Sequence, residues 1–307
     1  MSSVWDRCMQ WWQETVATPP RVQADRQQDG SVASALSLLG GKEEIDLPGQ
    51  RLRIERVIAQ GGFAVVLEAT DARDPSHKFA LKKLLAHDRE RLDLIKAEIK
   101  VMLSARSPAE VLLLMELCPG CVIDVVLSHE QGVPAHTIKS FFTQAADAVS
   151  FLHAQSPPII HRDIKAENFL LTHDNVVKLC DFGSCTTETI DPAALDYRAK
   201  MATAERLEAM TTPQNRSPEM LDLFSEQPIN EKLDVWALGC LLHVLCHRVH
   251  PFEDGAKLAI VNVKYKVPQS SQYAAFDHVI AERLFVKDVA ARATAQQAKD
   301  AVAALDI

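Results

Sequence analysis

From Arg51 onward, apolar and polar residues alternate in short β-branched runs: RLRIERVIA, then FAVVLEATD after a glycine pair, then KFALKKLL. A period of two bounded by turn residues predicts three successive strands of a small antiparallel sheet. Asp88 to Leu103 carries Leu92, Ile95, Ile99 and Met102 at helical spacing, and VLLLMEL from Val111 reads as another strand. Beyond it the period lengthens. Ile138 to His153, Asp234 to Cys246 and Phe276 to Leu284 read as core helices, with short strands and turns between Ile159 and Phe182. Strands first and helices afterwards predict an α+β chain of two segregated lobes. Residues 1–48 read as a flexible N-terminal tail, 49–117 as a small lobe built on a sheet and one helix, and 118–307 as a larger, mainly helical lobe. The tail holds an aromatic segment, WDRCMQWWQETV, and a polar stretch, PPRVQADRQQDGSVAS, too poor in apolar residues to bury much.

Composition narrows the classes of partner. With 307 residues, 47% of them hydrophobic, the chain can bury sizeable cores. A net charge of -8 offers no broad basic face to nucleic acid or to an anionic membrane. The longest apolar stretches, such as Ala237 to Leu245, fall far short of the roughly 20 residues a transmembrane helix needs. The N-terminus lacks a basic flank and an apolar run, so a secretory signal is not expected. Seven cysteines at scattered spacings suit a reducing, cytoplasmic setting.

The chemistry concentrates in HRDIKAENFLL, His161 to Leu171, and KLCDFGS, Lys178 to Ser184. Here a general base, a cation and two oxygen ligands stand at the spacing of a catalytic loop and a returning hairpin. Asp163 is placed to accept or orient the proton of an acceptor hydroxyl, and Lys165 to neutralise charge on a transferring γ-phosphoryl group. Asn168 and Asp181 supply the amide and carboxylate oxygens that Mg²⁺ prefers alongside nucleotide phosphates. Either motif alone is an ordinary turn or loop; their conjunction is what carries the reading. Upstream, Lys82 ends a predicted strand and Glu98 lies on the following helix, positions that suit an ion pair aiming the lysine at the α- and β-phosphates of ATP. The turn between the first two strands holds Gly61 and Gly62, by itself a weak phosphate-loop signal.

These motifs resemble the eukaryotic protein kinase family over roughly residues 50–305. AQGGFAVVLEATD, KLCDFGSCTT, TTPQNRSPEM, KLDVWALGCLL and PFEDGAKLAIVN resemble more closely the Numb-associated kinases, the group of the adaptor-associated and cyclin-G-associated kinases. The usual kinase turn has glycine where Ala59 and Ala64 stand here; alanines at those places are a feature of the group. The resemblance implies a bilobal fold and transfer of phosphate from ATP, with Mg²⁺, to serine or threonine of endocytic adaptor or coat-associated proteins. It also implies a cytoplasmic enzyme brought to endocytic membranes through partners. Met115 matches the gatekeeper, and Glu116 and Cys118 match the hinge whose backbone bonds adenine. Val66, Ala80 and Leu170 match the apolar walls of the adenine site. Glu219 is expected to pair with Arg292, Asp234 to brace the catalytic loop, and Thr212 to contact Asp163 and Lys165, a serine/threonine-type arrangement. Ala193 to Met210 is expected to add a helix that holds the activation segment, with Thr186, Thr187, Thr203 and Thr211 available for phosphorylation.

Cys118 and Cys121 form a lone CxxC without a second pair, and His243, Cys246, His247 and His250 read as surface groups at a helix end, so neither set is taken as a metal site. The departure from the family pattern lies between Leu103 and Val111. Seven extended residues reach roughly 23 to 25 Å, enough to join helix to strand but with no edge strand expected between them. A second reading follows: a kinase-like scaffold, with weak or no catalysis because its small lobe is incomplete.

Overall fold

The computed structural model describes residues 44–47, 50–60, 64–85, 104–107, 110–252, 256–268 and 271–307. These described residues divide into two compact units, one of those from 44 to 121 with 170–183 and one of those from 122 to 169 with 184–307. The helix expected over Asp88–Leu103, with Glu98, and the glycine pair Gly61–Gly62 lie outside the described residues.

The first unit is built on a six-stranded sheet. Its strands are β1 (Glu44–Leu47), β2 (Gln50–Gln60), β3 (Ala64–Asp71), β4 (Lys78–Leu85), β5 (Ser104–Ser107) and β6 (Glu110–Glu116). They pair antiparallel in the order β1-β2-β3-β4-β6-β5. Period-two alternation gives the sheet two chemically distinct faces. Ile45, Leu52, Ile54, Val65, Leu67, Ala69 and Leu81 form one buried apolar cluster. On the other face, cross-strand register aligns Ala59, Val66, Lys82 and Leu113 in one row and Glu68, Ala80 and Met115 in the next. Register alone therefore groups five of the expected nucleotide-site residues, Ala59, Val66, Ala80, Lys82 and Met115, on one surface.

Two expectations about this unit are corrected. The tail was read as extending to residue 48, yet β1 begins at Glu44 and Ile45 is almost wholly buried in the sheet's core. EIDL is too short to show a period, and its signal comes from pairing with β2, Ile45 against Leu52. The link after Leu103, read as too short for an edge strand, holds β5, which pairs Ser104 with Leu112 and Ala105 with Val111. Only two residues separate β5 from β6, a connection that tight hairpins permit. The sequence SARS carries no hydrophobic alternation, so the pattern could not announce a strand held by backbone pairing. A smaller sheet joins β7 (Gly120–Cys121), β8 (Phe169–Leu171) and β9 (Val177–Leu179) in the order β7-β8-β9.

The second unit is helical, with α1 (Val122–Ser128), α2 (Ala135–His153), α3 (Tyr197–Met210), α4 (Pro218–Leu221), α5 (Lys232–His247), α6 (Lys257–Val261), α7 (Ala274–Val279) and α8 (Ala295–Ala303). α5 is its central post: Leu233 to His243 are all buried, and α2, α7 and α8 pack against it. A helix buried all round shows little amphipathic period. Gly239 permits close approach there, since a Cβ at this position would lie 2.7 Å from the Phe285 ring. The predicted helix over Phe276–Leu284 is α7 followed by a π-helical turn, Ile280–Leu284. α8 opens with a capping box in which Thr294 and Gln297 each bond the other's backbone N–H.

The histidines at the end of α5 were read as surface groups, and this too is corrected. His243 is 1% exposed, with its two ring nitrogens 3.0 and 3.1 Å from the Val249 and Lys266 carbonyls. His247 Nε2 lies 2.7 Å from Asp277 Oδ1. The backbone of the following loop supplies partners that helical spacing cannot reveal.

Candidate active site

Within the second unit, α2 leads through a largely exposed turn to the loop His161–Asn168, whose backbone is fixed from behind. Asp234, fully buried on α5, accepts the His161 N–H at 2.7 Å on Oδ2 and the Arg162 N–H at 2.8 Å on Oδ1, and His153 Nε2 lies 3.0 Å from Oδ2. A carboxylate with two charge-assisted backbone bonds is a strong local anchor. It holds Arg162 at φ 67°, a left-handed conformation costly for a residue with a Cβ, and such strain persists only where surroundings over-determine it. The Arg162 Nε–H donates to the Ser184 carbonyl, and burial lowers its guanidinium below the usual range.

This bracing presents Asp163 with every oxygen partnered. Oδ1 accepts the Thr212 hydroxyl at 2.7 Å, and Oδ2 accepts Lys165 Nζ at 2.7 Å and Asn168 Nδ2 at 2.9 Å. Asn168 Nδ2 also donates to the Asp163 carbonyl at 2.7 Å, so its amide nitrogen faces the loop and its amide oxygen is the ligand-type atom left. Lys165 Nζ lies 3.4 Å from the Thr212 hydroxyl. Four side chains expected at the site, Asp163, Lys165, Asn168 and Thr212, are thus one bonded cluster.

The first unit holds the other half of the expected set. Lys82 Nζ lies 3.1 Å from Asp181 Oδ1, a pair joining β4 to the segment after β9. Asp181 has φ 63°, a second strained residue at an expected site position. Ala59, Val66, Ala80, Met115, Cys118 and Leu170 are all buried. Sequence reading gave Glu116 a backbone role only; its carboxylate also pairs with Lys178 of β9. The thiol of Cys180, directly before Asp181, is pushed up by burial and then by the adjacent carboxylate, which makes it an inert packing group.

The segment from Ser184 to Thr212 is held along its length within the second unit. Thr186 and Ile160 exchange backbone bonds at 2.8 and 2.9 Å, and Ile190 does the same with Ile229. The expected helix is present as α3, capped by Asp196, with a separate turn at Pro192–Ala194 before it. Leu207 of α3 sits in a buried cluster with Ile160, Met220, Leu223, Ile229 and Leu233. Arg216 then bonds the Thr211 hydroxyl and the Thr211 and Glu208 carbonyls. Glu219 and Arg292 form a two-pronged buried pair at 2.7 and 2.8 Å. The sequence reading gave no role to Arg162, His153 or Lys178. The signal for Arg162 was available, in the residue between His161 and Asp163.

The second unit thus holds a carboxylate bonded to a lysine, an amide and a threonine hydroxyl, and the first unit a lysine–aspartate pair, each a set of groups of the kind phosphoryl transfer uses. The protein kinase domain matches residues 52–302. The chain belongs to the protein kinase family. This kinase domain is 36% identical over 277 residues to a protein of Dictyostelium discoideum named as a probable serine/threonine-protein kinase, covering 82% of this chain and 34% of that relative. It is 33% identical over 257 residues to actin-regulating kinase 1 of Saccharomyces cerevisiae, covering 75% of this chain and 40% of the relative. Actin-regulating kinase PRK1 of the same yeast is 32% identical over 247 residues, 72% of this chain and 30% of the relative. The kinase domain therefore matches only about a third of the length of these relatives. No helix among the described residues is long and apolar enough to cross a membrane.

Proposed function

We propose that this chain transfers the γ-phosphoryl group of ATP to serine or threonine hydroxyls of protein substrates. The observation that carries this reading is the Asp163 carboxylate, held by Lys165, Asn168 and Thr212 with all three bonds below 3 Å. Asp163 would take or orient the proton of the acceptor hydroxyl, and Lys165 would set a positive charge beside the reacting oxygen. Thr212 fixes which way the carboxylate faces. The residues suit Mg²⁺-ATP: Asp181 and the Asn168 amide oxygen are hard oxygen donors, and Lys82 is a compact cation for phosphate. When bound, Mg²⁺-ATP supplies the phosphoryl group and the positive charge that spreads over it. Met115, Glu116 and Cys118 would line the adenine side, with Val66, Ala80 and Leu170 as its apolar walls, and Ala59, Gly61 and Gly62 as the phosphate turn. Glu98 would pair with Lys82.

Substrates of the endocytic or clathrin-adaptor type are supported by the resemblance of the turn and activation-segment motifs to the Numb-associated kinases, and by relatives named as actin-regulating kinases. A cytoplasmic enzyme recruited to such membranes by its partners fits both. The scaffold alternative rests on a missing edge strand, and the pairing of β5 with β6 counts against it. The test is radiolabel transfer from ATP to a threonine-containing peptide mixture, comparing the chain with its Asp163→Asn variant. A fall of about a hundredfold or more is expected from losing a general base. Equal transfer by the two proteins would assign the phosphate to a contaminant, and a folded chain that binds Mg²⁺-ATP without transfer would return the scaffold.

A further inference from the structure

Thr212 is not held by Asp163 alone. It directly precedes a one-turn 3₁₀ helix, Pro213–Asn215, whose far end is tied down outside the activation segment. His250, in the loop after α5, brings Nε2 to 2.8 Å from Asn215 Oδ1. Its Nδ1 lies 3.2 Å from both the N–H and the carbonyl oxygen of Phe252. The tautomer protonated at Nε2 satisfies both sides at once: Nε2–H donates to the Asn215 oxygen, and Nδ1 accepts the Phe252 N–H. Phe252 is itself 1% exposed and stacks on Trp236 at 5.5 Å, so the backbone that orients the imidazole is fixed to the central helix. The turn is thus clamped at both ends, by Arg216 back onto Thr211 and by His250 onto Asn215.

We infer that His250 is a positioning residue for the phospho-acceptor: through Asn215 it sets the Thr212–Asn215 turn, and so the place where an acceptor hydroxyl meets Asp163. This inference rests on the kinase reading above and adds to it a residue far in sequence from Asp163. The chemistry needed of His250 is one fixed N–H donor and no charge. Glutamine offers a comparable donor on a side chain of similar reach, and leucine offers bulk without it. The bonds that join His250 to Asn215 and to Phe252 all lie within the second unit, so nucleotide handling by Lys82 and Asp181 is expected to be indifferent to both variants.

The experiment is steady-state phosphorylation of a threonine peptide by the whole chain, as wild type and as His250→Leu, His250→Gln, Asn215→Ala and the His250→Leu/Asn215→Ala pair. The expected result is a roughly tenfold fall in kcat/KM for the peptide in His250→Leu and in Asn215→Ala, as loss of a bond of order 1.4 kcal/mol gives. KM for ATP stays within twofold. Gln recovers most of the loss, and the double variant is no worse than either single one, because both remove the same contact. Equal damage to peptide and ATP terms, Gln as poor as Leu, or additive losses would each reduce His250 to an ordinary structural histidine. An inactive wild type that still binds Mg²⁺-ATP would instead sink the kinase reading, and this inference with it. Asn215 is only half-buried, so Asn215→Ala keeps the inference open to refutation even where His250→Leu fails to fold.

Discussion

The Thr212 hydroxyl donates to Asp163 Oδ1 at 2.7 Å across 49 residues of chain, and Lys165 Nζ lies 3.4 Å from the same oxygen of Thr212. One hydroxyl therefore orients the proposed base and its neighbouring cation together. Thr212→Val keeps the shape and removes the bond. A hydrogen bond to a charged group is worth about 1.5–3 kcal/mol, which converts to roughly a tenfold to hundredfold fall in kcat. Thr212→Ser keeps the hydroxyl and is expected within about threefold of wild type. Peptide kinetics at saturating ATP check both, and a fully active Val variant would remove Thr212 from the mechanism.

Behind the loop, Asp234 holds two backbone N–H groups with no solvent to replace it. Asp234→Ala orphans both donors and releases Arg162 from its left-handed conformation. A loss of about 3–5 kcal/mol is expected in urea denaturation, together with loss of phosphotransfer, since breaking a buried charge network by removing one partner is severe. Asp234→Asn retains an acceptor for one N–H and should fall between the two. An Ala variant of unchanged midpoint would mean that the loop is braced by something other than this carboxylate.

How much of this was legible beforehand depended on where the signal lay. The cluster of Asp163, Lys165 and Asn168 was readable because the three fall within one short loop, so their spacing alone brings them together. Long-period elements read equally well: α2 and α5 each match the predicted helix to within a few residues. What failed was short or held by backbone. β1 and β5 are four residues each, too brief for a period, and exist through pairing with strands elsewhere. The histidines of α5 misled for a similar reason, since polar type suggested surface and the carbonyls of Val249 and Lys266 were invisible to helical spacing. Asp181 bonding Lys82, and Lys178 bonding Glu116, required the fold.

Those buried histidines give the protein an acid-sensitive stability. Burial pushes His250 down to about 4, opposed by its contact with Phe252, and burial lowers His243 as well, opposed by the Lys266 and Val249 carbonyls. His243 also faces His247, Tyr265 and, through its field, Asp277. An unfolded histidine titrates near 6.5, so between about pH 6.5 and 4 the unfolded chain binds more protons than the folded one. Stability is therefore expected to be flat in these groups above pH 6.5 and to fall as the pH drops through that window. His250 alone contributes a loss on the order of 2–3 kcal/mol by pH 4. The urea midpoint followed from pH 7 to pH 4.5 should show a shallower slope in His250→Gln than in wild type, and parallel slopes would mean that His250 titrates normally.

Lys82 supplies the remaining test, because its role can be read without catalysis. Its side chain is largely buried, 12% exposed, and its ammonium lies 3.1 Å from Asp181 Oδ1, so two groups expected to handle nucleotide already form one charged unit. A ligand that binds only the folded chain stabilises it by about 2.7 kcal/mol at a hundred times its Kd. Mg²⁺-ATP at that excess is expected to raise the melting temperature of the wild type by several degrees. Lys82→Met should lose more than half of the rise. Asp181→Asn should lose chiefly the part that depends on Mg²⁺, shown by comparing ATP with and without the metal. A full rise in Lys82→Met would place the phosphates elsewhere on the sheet. A wild type that transfers no phosphate and shows no rise at any nucleotide concentration would leave a folded kinase domain that does not use ATP.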